Sequence, residues 1–334
     1  MGAAGRRVDG RVRGAHPDAQ AQAARGEDQV RRRGGQSLRW LRCERSTPVV
    51  EVRAERASKP RAFDLQAHRG AGLWPQNTLE AFGRALALGV STLELDVHLT
   101  AEDDVVVAHD PALDDARRIR ELTRRDLPPT MPLLRQVAAL LDERGAHPVR
   151  VNLEIKFDAI DASGLTSREA FVARVVDALR IDELVARTSI QCFDWGVLRR
   201  VGDTEPRLGR NLLVSPKYLR GTADAPSPWF DGVPVGTDFV HAAAGEGFTA
   251  ISPVHGSPYT SGVDDPAYRP FTTAALVDAA HCVGLAVVPY VVDDAATMRH
   301  LVGLGVDGLI TNRPERLREV LAGEGRELPP SFPG

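Results

Sequence analysis

At 334 residues, with 43% hydrophobic and 26% charged residues, the chain has the composition of a globular protein with a sizeable core. No apolar run approaches the roughly 18 residues that cross a bilayer, which excludes an integral membrane segment. Its three cysteines, Cys43, Cys192 and Cys282, are widely spaced, odd in number and form no CxxC pair, so neither a disulfide framework nor a zinc site is suggested and a reducing, cytoplasmic compartment is expected.

The net charge of −3 hides an asymmetry. Residues 1–62 carry 14 Arg and one Lys against seven acidic residues, whereas the remainder is acidic overall. Residues 1–61 are rich in Arg, Ala and Gly without sustained apolar periodicity, and are expected to be a disordered basic extension. An arm for nucleic acid and a transit peptide are weaker readings, and no nucleic-acid partner is expected.

From residue 62 to 325 short apolar strands alternate with amphipathic helices, and residues 326–334 read as a C-terminal tail. FDLQAH is the first strand. After a glycine-bearing loop, Asn77 opens NTLE, a variant capping box before a helix whose face is Leu79, Phe82 and Leu86, with Gly89 as its stop. STLELDV, VVVAH, VRVNLEIK, SIQCF, LGRNLL, TAISPV, LAVVPYVV and DGLIT follow as strands. Helices are expected at residues 131–144, 168–180, 273–283 and 295–304. With VVVAH as an excursion from the second strand, eight βα repeats remain, the count of a TIM-type (β/α)8 barrel. An open doubly wound sheet competes, but no GxGxxG follows the first strand.

Strand alternation then places charges where a core belongs. Leu93, Leu95 and Val97 share one face of STLELDV, leaving Glu94 and Asp96 on the other. In VRVNLEIK, Val151, Leu153 and Ile155 face helices while Asn152, Glu154 and Lys156 point into the barrel. Three acids aimed at one interior require compensating positive charge. All-oxygen ligation by Glu94, Asp96 and Glu154 suits Mg2+ or Ca2+; the alternative is ion pairing with Arg69 and Lys156. His68 and His109 end strands, at the face where barrel sites assemble, and two imidazoles there can take a proton from a nucleophile and return one to a leaving group. Arg69 and Lys156 offer fixed positive charge to a phosphate.

The ordered motifs HRG, PQNT, ELDV, VVVAHD, LEIK and GVDGLITNRP resemble those of the glycerophosphodiester phosphodiesterase family over residues 65–320. The resemblance implies metal-dependent hydrolysis of small-molecule glycerophosphodiesters to an alcohol and sn-glycerol 3-phosphate. It also implies catalytic His68 and His109, phosphate-binding Arg69 and Lys156, and metal ligands Glu94, Asp96 and Glu154. The alternatives are a lyase that stops at a cyclic phosphate and a barrel that only binds phosphorylated ligands. Gln76 stands where this family usually has Glu, which removes a charge near the site; Cys192 and Tyr290 replace a frequent Ser and Trp. His98 is expected to be exposed beyond its strand, His255 to lie in a loop within reach of the alcohol, and His241, His281 and His300 to be helical bystanders. The alcohol and the oligomeric state are not legible.

Overall fold

The computed structural model describes residues 62–334 except 73, 74, 162, 164 and 222–224. The extension expected over residues 1–61 lies outside the described residues. In chain order the strands are β1 (Asp64–His68), β2 (Thr92–Leu99), β3 (Val105–Val107), β4 (Arg150–Ile155), β5 (Thr188–Cys192), β6 (Gly209–Val214), β7 (Ala250–Pro253), β8 (Gly256–Ser257), β9 (Arg269–Pro270), β10 (Ala286–Val287) and β11 (Gly308–Thr311). Eight of them pair in parallel in the order β10, β7, β6, β5, β4, β2, β1, β11. Across the remaining gap, Asp307 N donates to Val287 O and Ile310 N to Pro289 O, both at 2.9 Å. The sheet therefore curls into a nearly closed (β/α)8 barrel, as the repeat count predicts. Excursion β3 turns back antiparallel onto β2, while β8 and β9 form a separate hairpin. LAVVPYVV is regular only at Ala286–Val287, because Pro289 has no N–H to give to a ladder.

The helices are α1 (Leu79–Leu88), α2 (Leu134–Glu143), α3 (Arg168–Ile181), α4 (Trp195–Thr204), α5 (Pro216–Leu219), α6 (Phe239–Gly245), α7 (Ala274–Cys282), α8 (Ala295–Gly303) and α9 (Pro314–Gly323). They cover the apolar outer faces of the strands. Leu93, Leu95, Val151 and Leu153 are fully buried in one cluster with Phe82 and Leu86 of α1 and Val137 and Leu141 of α2. Each such side chain contributes about 1.5–3 kcal/mol through burial.

The cap of α1 corrects the sequence reading. Thr78, not Asn77, is the N-cap, its hydroxyl accepting from Ala81 N at 3.2 Å. Asn77 instead adopts a left-handed φ of 56° and sends its amide into the barrel. Gly89 ends the helix as expected, at φ 91°, a conformation that glycine adopts without Cβ conflict.

Inside the barrel, amides rather than aliphatic chains fill the layer beneath the acids. Asn152 Nδ2 donates to the side-chain oxygens of Gln66 and Gln191, both at 2.8 Å, and Gln191 Nε2 donates to Glu94 Oε1 at 2.6 Å. At the N-terminal end of the strands the chain's last residues cross beneath the barrel, with Phe332 N donating to Leu86 O at 2.8 Å. A cavity of about 700 Å³ lies there, lined in part by Asp64, Arg150 and Phe332. It is at the opposite end from both candidate histidines, so it is not the reaction site.

Candidate active site

Register alone gathers the acids. His68 pairs with Glu94 across β1 and β2, and Asp96 with Glu154 across β2 and β4. One ligand oxygen from each of Glu94, Asp96 and Glu154 lies within 4.8 Å of the others, and all three residues are buried. The turn after β1 brings the cation. Arg69 has φ 52°, its backbone N–H donates to Glu94 Oε2 at 3.1 Å, and its Nε lies 3.0 Å from Asp96 Oδ2. Gly72, also at positive φ, passes so close to Asn312 that a Cβ would collide with its backbone carbonyl. Lys156 closes the cluster, with Nζ 2.9 Å from Glu154 Oε1 and 3.7 Å from Asp96 Oδ1.

These charges divide unequally. Burial, then the Asp96 and Glu154 charges, raises Glu94 well above the usual carboxylate range. Burial also raises Glu154, against the pull of Lys156. Burial pushes Asp96 the same way, but Arg69 and Lys156 overcome it and hold that carboxyl far below its ordinary value. Lys156 is desolvated too, yet Glu154 and Asp96 raise its pKa, so it stays charged. Asp96 Oδ1 is buried without a hydrogen-bond partner. Three carboxylates with only two cations beside them, one oxygen of the set unsatisfied, and ligation by oxygen alone together fit a hard divalent cation. Ion pairing and cation ligation are thus both available to the same acids.

The two histidines are set differently. Asn312 Nδ2 donates to Asp293 Oδ2 at 2.8 Å, so Asn312 presents Oδ1 to His68 and accepts its Nδ1–H at 2.7 Å. That bond fixes the tautomer and leaves Nε2 as the acceptor, 4.0 Å from Glu94 Oε2. Burial and then Arg69 lower His68 to about 3, keeping the ring neutral. His109 sits at the rim with 39% of its side chain exposed, and its Nδ1 donates to Asp110 Oδ1 at 2.8 Å. Its backbone is tied to the strand of the acids, because Ala108 N, one residue before it, donates to Asp96 O at 3.0 Å.

Four neighbours are not expected at the site from the sequence, in which Asn77 reads only as a helix cap. Asn312 and Asp293 hold His68; Asp293 is anchored in turn by Thr311 Oγ1 at 3.0 Å and Asn312 N at 2.8 Å. Gln191 supports Glu94, and Asn77 Nδ2 donates to Asp96 Oδ2 at 2.9 Å. Two expectations fail. His98 is buried, because β2 runs on to Leu99 against β3, and its Nε2 bonds the His109 carbonyl oxygen at 3.1 Å. His255 is likewise buried and bonded to the Tyr268 hydroxyl at 3.0 Å and the Tyr259 carbonyl at 2.9 Å. Cys192 is a buried packing residue, as expected, with its Sγ donating to Ile155 O at 3.1 Å.

A profile of the glycerophosphoryl diester phosphodiesterase family matches residues 68–316. The chain belongs to this family. A glycerophosphodiester phosphodiesterase of Caldanaerobacter subterraneus subsp. tengcongensis is 26% identical over 270 residues, covering 75% of this chain and 94% of that protein. Two solved structures share the fold at a TM-score of 0.60. One is a glycerophosphodiester phosphodiesterase from Parabacteroides distasonis, 19% identical, covering 80% of this chain and 100% of its own. The other is an Oleispira antarctica phosphodiesterase in complex with the product sn-glycerol-3-phosphate, 18% identical, covering 78% and 97%. Within this member of the glycerophosphoryl diester phosphodiesterase family, the position of Gln76 is informative. Its Oε1 accepts from Arg69 Nη1 at 3.3 Å, so the neutral amide steers the guanidinium without cancelling its charge. Among the described residues no helix is long and apolar enough to cross a membrane.

Proposed function

We propose that this chain hydrolyses glycerophosphodiesters to an alcohol and sn-glycerol 3-phosphate, with His68 and His109 as the proton-transfer pair. The observation that carries the reading is the fixed tautomer of His68: Nδ1 is tied to Asn312, so Nε2 faces the acidic cluster as a proton acceptor. The product named for the Oleispira antarctica structure supports the same substrate class.

In this mechanism the phosphodiester lies against Arg69 and Lys156, whose charges offset the negative charge that gathers on the phosphoryl oxygens. His68 Nε2 takes the proton of the attacking oxygen as its bond to phosphorus forms. The bond from phosphorus to the alcohol oxygen breaks, and protonated His109 gives that oxygen its proton. Glu94, Asp96 and Glu154 would hold a divalent cation, Mg2+ or Ca2+, which when bound supplies Lewis-acid polarisation of a phosphoryl oxygen. Asn77 and Gln191 keep Asp96 and Glu94 in place.

Phosphorus NMR of glycerophosphocholine turnover tests the reading. The native chain should release glycerol 3-phosphate, and His68→Ala and His109→Ala should each slow release by roughly a hundredfold or more. Near-native rates in both variants would overturn the two-histidine assignment. An accumulating cyclic ester would replace hydrolysis by a lyase reaction.

A further inference from the structure

At the C-terminal mouth of the barrel four aromatic rings form a row that the proton chemistry does not use. Phe193 continues the inward parity of Ser189 and Gln191 on β5, one step beyond the glutamine that supports Glu94. Extending the β4–β5 register by two residues sets it beside Lys156. The Phe193 ring lies 4.1 Å from that of Tyr218 between centroids, and Tyr218 lies 4.9 Å from Trp229. Tyr290 stands edge-on to Phe193 at 6.2 Å. All four are only half-buried. The contrast is with Trp195 and Phe230, which pack at 5.8 Å and are 1% and 7% exposed, as structural aromatics are. A row that starts at the reaction centre and keeps its rings partly open is a surface for a ligand.

Charge chooses the ligand. Lys217 Nζ already lies 5.0 Å from the Tyr218 ring centroid, and the Arg168 guanidinium lies 4.7 Å from that of Phe157 at the end of β4. A cationic headgroup would meet the like charge of Lys217 on the Tyr218 ring, whereas the charge of Arg168 is already paired with Asp194 and Asp231. A hydrocarbon chain meets no such repulsion. Resting on the proposed hydrolysis, we infer that Phe193, Tyr218, Trp229 and Tyr290 form a subsite for a hydrocarbon chain on the diester, so that this chain favours lipid-derived or alkyl diesters over wholly polar ones. The chain could hang from the glycerol, as in a lysophospholipid, or from the alcohol.

The test uses the full chain and two series of diesters kept below their micellar concentrations, one lengthened on the glycerol and one on the alcohol. A fully buried methylene is worth roughly fourfold in affinity, so a half-open wall gives about twofold, or about sixteenfold from octyl to dodecyl. The series whose kcat/KM climbs identifies the end that lies on the rings. Trp229→Ala and Tyr218→Ala should flatten that climb while leaving the ethyl diester's turnover unchanged. A flat response to length in both series of the native chain overturns the subsite. Calorimetry with dodecyl and butyl phosphate separates this from the activity itself. Tighter dodecyl binding that Trp229→Ala abolishes supports the subsite even if no diester turns over, and equal binding rejects it. Should Trp229→Ala fail to fold, Tyr218→Ala and the native length response decide.

Discussion

Replacing Asn312 by Ala isolates the orientation of His68 from its chemistry. In the native chain the imidazole Nδ1–H is spent on Asn312 Oδ1 at 2.7 Å, and the amide is locked by Asp293 at 2.8 Å. Without the amide oxygen, the productive tautomer leaves a buried N–H unsatisfied, a cost of about 1–3 kcal/mol. The ring escapes by moving the proton to Nε2, the nitrogen that must accept. Either way the active arrangement becomes the minor one, and about 1.4–2.7 kcal/mol added to the barrier lowers kcat roughly ten- to hundredfold. KM should hold, because Arg69 and Lys156 do not touch Asn312. The fold should hold too, since Asp293 keeps its bonds from Thr311 Oγ1 and from the backbone N–H of residue 312. Steady-state kinetics with a thermal melt checks both. A kcat within twofold of native, in a variant that melts like the native chain, would refute the positioning role.

Cation ligation has a readout that needs no turnover. Adding Mg2+ or Ca2+ to chelator-treated protein should raise the melting temperature, by an amount equivalent to about 2.7 kcal/mol at a hundredfold excess over Kd. Asp96→Asn should abolish the shift, and no shift with either ion in the native chain would contradict a site at Glu94, Asp96 and Glu154. Leu153→Ala removes a fully buried side chain that lies in register between Leu95 and Ile190, and should cost about 2–5 kcal/mol in denaturant unfolding; a loss under about 1 kcal/mol would mean that the outer face is not packed as described. His281 donates to Asp307 at 2.9 Å, and that bond raises its pKa above the usual value. Its stabilisation is therefore complete below the unfolded pKa of about 6.5 and fades as pH rises through the higher folded value. Because the ring is 41% exposed, His281→Asn should cost only a few tenths of a kcal/mol at pH 5.5 and nothing measurable at pH 9. A larger deficit at pH 9 than at pH 5.5 would reverse the sign.

What the sequence disclosed and what it withheld divide along contact order. Two-residue alternation is local, so Glu94, Asp96 and Glu154 could be aimed inward from their own strands, and the apolar partners Leu95 and Leu153 outward. The α1 cap falls one residue beyond Asn77 for a reason that is not local. Asn77 and Thr78 both suit an N-cap, and the choice falls to Thr78 only because Asp96, 19 positions away, holds the Asn77 amide. His98 is similar: pairing with β3 carries β2 past the point where polarity suggested an end. Asn312 lies furthest from local reach, 244 positions from the ring that it orients. Yet the topology itself contained the signal. A closed parallel barrel must lay its last strand beside its first, so the residue that follows β11 stands next to the residue that ends β1. In LITNRP both Thr311 and Asn312 offer a donor and an acceptor, but the Thr311 hydroxyl is taken by Asp293 and by the Arg313 N–H, which leaves Asn312 to join Asp293 to the ring. In a barrel the inference therefore runs from closure to chemistry: once strand count predicts a ring, the end of the final strand belongs to the site that the first strand opens.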